Sequence, residues 1–348
     1  MKGKLLVSDI KEMFKISKAD EIHIVTDGIM AGIREGKSYT TVFKKTKLNT
    51  LDEGSFRFCK ALSNLLSGEN VEIDGDKLKT EKRTLQLSEF KIEDEMEVTD
   101  SHLIECIHLK FSDFKEALRD IKLFLSKDSS RPILQYAAIH HNYAESLDGY
   151  RLCRRFLDID IKHGTIFVSE DVINALLKIK SDDNIKILHY KDYFKFCVDD
   201  ISIYQSLQSY GEWINTKALI NGVNENLIVT LNPVNMRVIL DEYKKAGLDL
   251  VKLDFKKDHV EIHSSNFICN VNDSLPIEVE KYEPNHQYTD KDLDKEPFSI
   301  AFNIQRADEI FKCHRNESVK LSLSSPVSPM LVQEEGKKDL ILPVRLIK

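Results

Sequence analysis

Six amphipathic segments arranged as three pairs constrain the fold of this chain more than any other feature. The first members of the pairs begin near Ser8, Ser112 and Asn232, and the second members begin near Ser55, Ser169 and Asn303. Each of these residues has a short side-chain oxygen that can cap free N–H groups at a helix start. Corresponding segments lie about 104 to 134 residues apart, which indicates an internal repeat with loops of different lengths. The sequence therefore predicts one structural unit that occurs three times.

The helix that begins near Asn232 carries the clearest boundary signals. Pro233 follows directly and suits the first helical position, because its missing N–H would have no partner there. Gly247 supplies a plausible stop, since glycine adopts the left-handed conformation that ends many helices.

Stretches with strand periodicity separate the predicted helices. Apolar and polar residues alternate in segments such as 104–109, 250–255 and 319–323, a pattern typical of strands with one buried face. Helices on one face of antiparallel sheets define an α+β architecture. We therefore expect three similar α+β domains, each with an antiparallel sheet and two helices, over residues 1–107, 108–229 and 230–348. The polar stretch from Glu280 to Glu296 is expected to be a solvated loop.

Composition places the chain among soluble globular proteins. It has 348 residues, 42% hydrophobic and 31% charged, which suggests two or three domains. The N-terminal apolar run is too short for a signal peptide, and no stretch approaches the roughly 20 apolar residues that cross a bilayer. The six cysteines lack zinc-type spacing and indicate a reducing cytoplasm; they are Cys59, Cys106, Cys153, Cys197, Cys269 and Cys313.

Lysine and arginine side chains recur on the polar faces of the predicted helices. A net charge of −7 speaks against a dedicated nucleic-acid binder, but the distribution of charge matters more than its sum. Taken alone, these rows are ordinary solvated faces, and acidic neighbours such as Asp113, Glu116 and Asp120 can pair with them. The residues that would face phosphates are Lys11, Lys15, Lys18, Arg57, Lys60, Lys115, Arg119, Lys122, Lys178, Arg237, Lys244, Lys312 and Arg315.

Two short segments separated by more than half the chain add a specific signal. The first reads Leu-Asp-Gly-Tyr-Arg-Leu over residues 147–152, and the second reads Leu-Ile-Leu-Pro-Val-Arg-Leu-Ile-Lys over residues 340–348. An Arg-Pro-Ile-Leu run at 131–134 precedes the first segment, and a Phe-Asn pair at 302–303 opens the sixth predicted helix. Alternatively, the Asp-Gly turn of the first segment is an ordinary hairpin and residues 340–346 are a buried closing strand. The order and separation of the two segments favour a shared role instead.

These segments resemble the D-G-(aromatic or His)-R-L turn and the hydrophobic-Pro-hydrophobic-Arg-Leu ending of bacterial sliding clamps, the beta subunit of DNA polymerase III. The resemblance is specific over about residues 108–348 and weak before them. It implies a ring of two head-to-tail copies that encloses duplex DNA, with the helices lining the hole. It also implies a hydrophobic client-peptide pocket between the central and C-terminal domains, formed by Leu134, Gly149, Tyr150, Arg151, Leu152, Ile214, Leu340, Ile341, Leu342, Pro343, Val344, Arg345 and Leu346.

One position departs from the clamp pattern. Clamps usually have Gly-x-(aromatic)-Pro-Asp-Tyr on the connection to the third domain, whereas this chain reads Gly-Glu-Trp-Ile-Asn-Thr over 211–216. Ile214 replaces the proline, and Ala218 stands where a basic residue is common. The resemblance therefore leaves the third wall of the pocket, and with it client preference, open to change.

The resemblance implies a cytoplasmic, non-catalytic subunit of a polymerase holoenzyme without cofactor or metal. Its implied partners are double-stranded DNA without sequence preference, a replicative polymerase, a clamp loader, repair and mismatch proteins, and a second copy of the chain. No P-loop, G-x-S-x-G or H-E-x-x-H motif is present, and His140 and His141 would point to opposite faces of a strand. The alternative is a clamp paralogue that binds peptides without enclosing DNA.

Overall fold

The computed structural model describes residues 2–35, 38–46, 48, 55–89, 102–207, 212–283 and 292–345. The chain divides into two compact units. The first unit comprises Met1–Arg119, Ala138–Asn142 and Leu157–Tyr210, and the second comprises Asp120–Ala137, Tyr143–Phe156 and Gly211–Lys348. Among the described residues, no helix has the length and apolar character needed to cross a bilayer.

Strands and helices follow one another in an order that occurs three times. The first copy contains β1 Lys2–Leu6, α1 Val7–Ser17, β2 Glu21–Val25, β3 Gly28–Glu35, β4 Ser38–Lys45, β5 Phe56–Cys59, the 3-10 helix Lys60–Leu65, β6 Asn70–Asp74, β7 Lys77–Lys79, β8 Thr84–Gln86 and β9 Ser88–Glu89. The second contains β10 Leu103–Lys110, α2 Phe111–Ile121, the 3-10 helices Lys122–Phe124 and Pro132–Gln135, β11 Tyr136–His140, β12 Tyr143–Leu147, β13 Arg151–Phe156, β14 Ile166–Ser169, α3 Glu170–Leu176, β15 Asn184–Tyr190, β16 Tyr193–Val198 and β17 Ile201–Ser206.

The third copy follows a short helix, α4. Its elements are α4 Thr216–Asn221, β18 Leu227–Leu231, α5 Pro233–Lys245, β19 Leu250–Phe255, β20 His259–Ser265, β21 Asn270–Pro276, β22 Glu278–Tyr282, β23 Phe298–Asn303, α6 Ile304–Cys313, β24 Val319–Leu323, β25 Met330–Glu334 and β26 Lys337–Ile341. In each copy a strand leads into a first α-helix, and several strands follow. A second helix then precedes three more strands in the second and third copies, whereas in the first copy a 3-10 helix precedes four. The α+β architecture with a repeated domain pattern is confirmed.

Strand pairing repeats as well. The strand before the first helix pairs with the strand after the second helix, giving the four-stranded orders β1-β6-β7-β8, β10-β15-β16-β17 and β18-β24-β25-β26. The pairings within these three orders are antiparallel. In the first unit β17 also pairs with β4, and in the second unit β26 also pairs with β13. The proposed boundaries at residues 107 and 229 lie inside β10 and β18, and the division into three domains stays a prediction.

Side-chain caps explain three helix starts that the sequence predicted. Ser169 accepts a hydrogen bond from the N–H of Val172, and Asn232 and Asn303 accept the corresponding bonds from Asn235 and Arg306. Such caps satisfy N–H groups that have no partner within the helix. Gly247 follows Ala246, the C-cap residue of α5, and has a φ of +75°, as the predicted stop requires. The first helix differs, because Val7–Ser17 follows Leu6 without a side-chain cap.

The helix predicted near Ser55 is wrong. Phe56–Cys59 is strand β5, paired with β2, and only a 3-10 helix follows at Lys60–Leu65. Phe56 and Phe58 are buried while Arg57 between them is exposed, so the segment has the two-residue period of a strand. The loop predicted from Glu280 is also partly wrong, because Glu278–Tyr282 forms β22 against β18; residues 284–291 lie outside the described residues.

Candidate peptide-binding pocket and basic helix faces

A tight turn between β12 and β13 forms the first wall of the predicted pocket. Asp148 Oδ1 accepts the backbone N–H groups of Tyr150 (2.9 Å) and Arg151 (3.0 Å). Gly149 has a φ of +90°, and a Cβ atom there would lie 2.5 Å from Nη1 of Arg131. Glycine at position 149 is therefore favoured by the backbone conformation, and the flexible end of the Arg131 side chain fills the space beside it.

The Arg151 side chain is buried, and its nitrogen atoms have partners within the protein. Its Nε donates to Asp148 Oδ2 at 3.0 Å, its Nη2 donates to the carbonyl of Leu123 at 3.0 Å, and its Nη1 pairs with Glu309 of α6. Its side chain is 8% exposed. The donors of Arg151 therefore already have partners that hold the turn against α6, and a contact between Arg151 and a client peptide stays a prediction.

The terminal segment lies where the second wall of the predicted pocket is expected. β26 pairs with β13, so that Leu340 lies opposite Leu152. The strand ends at Ile341, after which the N–H of Leu342 donates to the carbonyl of Tyr150 (2.8 Å) and the N–H of Val344 donates to that of Ala301 (2.8 Å). Pro343, which has no N–H, stands between these two donors. The two sequence segments thus lie side by side, as predicted.

Buried leucines form the floor of this region and exposed side chains surround it. One cluster of buried residues contains Leu134, Leu147, Leu152, Ile220, Leu331 and Leu340. Ile341 is also buried, and Arg345 is exposed. The apolar side chains that solvent reaches are Tyr150 (48% exposed), Ile214 (42%), Leu342 (39%) and Val344 (37%). Leu346 lies outside the described residues, and the assignment of all these residues to a client pocket stays a prediction.

A buried carboxylate that sequence reasoning missed is bonded to the segment predicted to form the third wall. Glu145 of β12 is fully buried and lies opposite Arg154 of β13, which donates to its Oε2 at 2.8 and 2.9 Å. Its Oε1 accepts hydrogen bonds from Trp213 Nε1 and Thr216 Oγ1, each at 2.6 Å. A single acidic residue at 145 in β12, with arginines at 154 and 155 in the next strand, was the signal that could have revealed this contact.

The basic side chains fall into two groups. Several are tied to protein acceptors: Lys115 Nζ donates to the carbonyl of Ile179 (2.6 Å), Lys178 Nζ to that of Ile16 (3.0 Å), and Lys244 pairs with Asp241 and Asp308. Ion pairs also hold three arginines, namely Arg57 with Glu21, Arg237 with Asp308 and Arg315 with Asp120. Arg57 lies on β5, and the prediction that it belongs to a helix is wrong.

The second group is solvated. Exposed cations without a protein partner in the described part of the chain are Lys11, Lys15, Lys18, Lys60, Arg119 and Lys312, and Lys122 is half-buried. Lys11 and Lys15 belong to α1, and Lys18 caps its C-terminal end with a φ of 58°. The row predicted on the first helix therefore exists as an exposed face, whereas the row on α2 loses Lys115 to an internal bond.

One cluster has donor atoms suited to a metal. Single atoms of Asp254, Glu261 and His263 lie within 4.8 Å of one another. Lys252 Nζ, however, lies 2.7 Å from Asp254, and Lys256 Nζ lies 2.6 Å from Glu261. The two ammonium groups therefore already neutralise the carboxylates, and we assign no metal to them.

Comparisons with known proteins agree with the motifs. No protein-family model matches the chain. A curated beta sliding clamp of Rickettsia felis is 23% identical over 301 residues, which are 81% of this chain and 76% of that protein. The solved DNA polymerase sliding clamp of Bacillus subtilis has a TM-score of 0.80 and 18% identity, and the match covers 100% of both chains. This chain is a divergent member of the bacterial sliding clamp family.

The likeness in fold extends through the first hundred residues, where the motifs are absent. A sliding clamp of Bartonella birtlesii, solved with griselimycin bound, has a TM-score of 0.82 at 15% identity and is covered over its full length by 99% of this chain. The clamp fold is therefore kept while most side chains differ.

Proposed function

We propose that this clamp is a non-catalytic processivity factor that encloses duplex DNA and tethers a replicative polymerase and other clients. The observation that carries the proposal is the repeated joining of strand edges. In the first unit β17 pairs with β4, and in the second unit β26 pairs with β13. In each case, the last strand of the four-stranded order pairs with the third of the four strands that lie between the helices of the preceding copy.

Two edges of this kind remain. β8 ends the first four-stranded order, and β21 ends the order β21-β20-β19-β23; neither has a second partner among the described strands. A second chain that places its β21 against β8 would repeat the same joint. Because the contact joins two different edges, two head-to-tail copies close into a ring, and both exposed strand edges become covered.

The hairpin beside β21 carries apolar surface that supports this joint. Phe267 and Ile268, in the turn between β20 and β21, are almost fully exposed. Exposed apolar side chains next to an unpaired strand edge mark an interaction surface. A second copy of the chain would bury both.

Enclosure explains how an acidic chain can hold DNA. A closed ring leaves DNA only by opening or at an end, so its phosphate contacts can be few and exchangeable. The solvated lysines of α1, with Lys60, Arg119 and Lys312, suffice for such contacts, while many strong contacts would give steeply salt-dependent binding. The net charge of −7 is compatible with this mechanism.

Clients would bind at the apolar surface of the second unit. Leu342, Val344 and Ile214 offer side chains that can contact Leu, Phe or Met anchors of an extended peptide, and such anchors usually dominate the binding energy. Polymerase, clamp loader and repair or mismatch proteins would share this site in the cytoplasm. Arg345 remains available for the backbone or acidic residues of a client.

Retention on circular DNA tests the proposal. The purified protein is incubated at high concentration with a nicked plasmid. A sizing column run at roughly 0.5 M salt then removes unenclosed protein, because salt screens the phosphate contacts (the Debye length is about 3 Å near 1 M). The plasmid is then cut once. We expect co-elution with the circle, loss of the protein after cutting, and sedimentation as a dimer. Equal retention before and after cutting contradicts enclosure. A monomer that binds peptides but never co-elutes with circles identifies the peptide-binding paralogue instead.

A further inference from the structure

The segment proposed as the third wall of the pocket is hydrogen-bonded to the buried carboxylate of Glu145. Trp213 and Thr216 flank Ile214, and both donate to the same oxygen of Glu145 at 2.6 Å. The N–H of Thr216 also donates to the carbonyl of Ile214 at 2.8 Å. We call Glu145, Trp213 and Thr216 the wall staple.

Arg154 holds the staple on its other side. Arg154 donates two hydrogen bonds to Glu145 and a third to Thr216 Oγ1 at 2.8 Å, and its guanidinium lies 4.2 Å from the centre of the Tyr143 ring. Both charged groups are buried, with exposed side-chain fractions of 6% and 0%. Charge-assisted bonds in such surroundings are stronger than bonds between neutral groups. The backbone at residue 214 is therefore fixed although no proline is present there.

The cations near this wall are already engaged. Arg154 is bound to Glu145, Arg151 is bound to Asp148 and Glu309, and Lys217 Nζ lies 5.8 Å from the centre of the Tyr143 ring. Arg306 stacks on Tyr150 at 3.6 Å from the ring centre. The surface that a client meets at this wall is consequently the apolar side chain of Ile214, next to Trp213, which packs on the buried leucine cluster.

We infer that the wall staple sets the client specificity of this pocket: it holds Ile214 in a fixed position, so that the pocket accepts client peptides with an aliphatic anchor and rejects a larger aromatic one. The inference rests on the proposed function, because it concerns the same pocket. Its physical reason is that a wall tied by two hydrogen bonds to one buried carboxylate cannot retreat to admit a ring. Glu145 and its two donors act as positioning residues and do not touch the client.

Conservative variants test the staple without leaving a charge unpaired. Trp213→Phe removes the indole N–H but keeps a ring on the leucine cluster, and Thr216→Val removes the hydroxyl but keeps the shape; both preserve the Glu145–Arg154 pair. Thr230→Val is a matched control, because the Thr230 hydroxyl also donates to a carboxylate, that of Glu280, at 2.6 Å on an exposed surface. Two fluorescein-labelled extended peptides that differ only in a Leu or Phe anchor serve as probes in fluorescence polarisation.

Wild-type protein and the Thr230→Val control are expected to prefer the Leu peptide. Each staple variant should reduce that preference by at least about 10-fold, the lower end of what losing one hydrogen bond to a charged group costs. An unchanged Leu-to-Phe ratio in both variants, with melting temperatures near that of wild type, overturns the inference. If wild-type protein binds neither peptide, the proposed client pocket itself fails, which is a distinguishable result.

Discussion

Arg155 and Asp339 form a two-point ion pair in the interior of the second unit, with Nη1 2.6 Å from Oδ1 and Nη2 2.9 Å from Oδ2. The two residues lie on β13 and β26, the strands whose pairing joins the middle and last copies of the repeat. Asp120 accepts the remaining Nε donor at 2.8 Å. All three side chains are at most 3% exposed, so this joint contains charges as well as apolar groups.

Replacing Asp339 by Asn should destabilise the second unit strongly. The variant keeps the volume of the side chain but leaves Arg155 with less compensating charge, and breaking a buried pair costs about 3–5 kcal/mol. Urea denaturation measures the change in the free energy of unfolding. Asp258→Asn, at a side chain that is 84% exposed, is the control and should change it by less than about 0.5 kcal/mol. Similar values for the two variants would contradict a stabilising role of the pair.

Acid should weaken the same joint. Burial alone would raise the pKa of Asp339, but Arg155 and His314 outweigh burial and lower it to about 2. Burial would likewise raise the pKa of Glu334, but its ion pairs with His314 (3.4 Å) and Lys337 (2.9 Å) lower it to about 2. A carboxylate with a lowered pKa contributes stability above its unfolded-state pKa and loses it as pH falls.

The free energy of unfolding should therefore decrease as pH falls from about 4.5 to about 2. Urea titrations at several pH values measure this slope. In Asp339→Asn one of the two groups no longer titrates, so the decrease should be shallower. Identical slopes for the variant and wild type would show that Asp339 does not titrate as described.

Phe267→Ser should weaken the proposed dimer. The ring is exposed in the single chain and would be buried against a second copy, and losing a buried aromatic side chain costs about 3–5 kcal/mol. Sedimentation velocity across a concentration series should show the variant as a monomer where wild type is a dimer. Phe156→Ser changes another exposed phenylalanine (45%) and should leave the dimer intact; dimer loss in both variants would remove the assignment of the interface.

Changing Lys11, Lys15 and Lys18 to Ala should weaken DNA contacts without unfolding the first unit. Each lysine that neutralises a phosphate contributes about 0.9 to the slope of log affinity against log salt, so the slope should become less steep. Fluorescence anisotropy with a labelled duplex measures it. The control is a second triple variant in which the exposed Lys186, Lys191 and Lys257 are changed to Ala, so that the same charge is removed. An equal effect of the two triple variants would show that the slope depends only on net charge.

Leu342→Ala and Arg151→Ala should separate binding from folding. Leu342 is partly exposed, so its loss should reduce peptide affinity by about 10-fold, or 1.4 kcal/mol, with little change in stability. Arg151 is buried among Asp148 and Glu309, so its loss should destabilise the fold by about 3–5 kcal/mol. Fluorescence polarisation and urea denaturation give the two quantities. A fully stable Arg151→Ala variant that only loses peptide affinity would instead support direct contact with the client.

Local chemistry made much of the fold predictable. The helix starts at Ser169, Asn232 and Asn303 follow from caps that reach three residues along the chain, so the sequence alone contains both partners. The Asp-Gly turn is equally local. The segment after Ser55 was misread because its strand character depends on pairing with β2, which is distant in sequence.

The sequence by itself determined the repeated order of elements, the caps and the two segments that meet at the pocket. Tertiary structure alone decided what the charged residues do. Arg151 turned inward because Glu309 lies beside it, and Glu145 became a support for Trp213, 68 residues away, because folding brings the two into hydrogen-bond contact. The sequence does not show whether a charged side chain will lie in water or in the interior. The neighbours that pack against a buried charge determine which partner that charge needs.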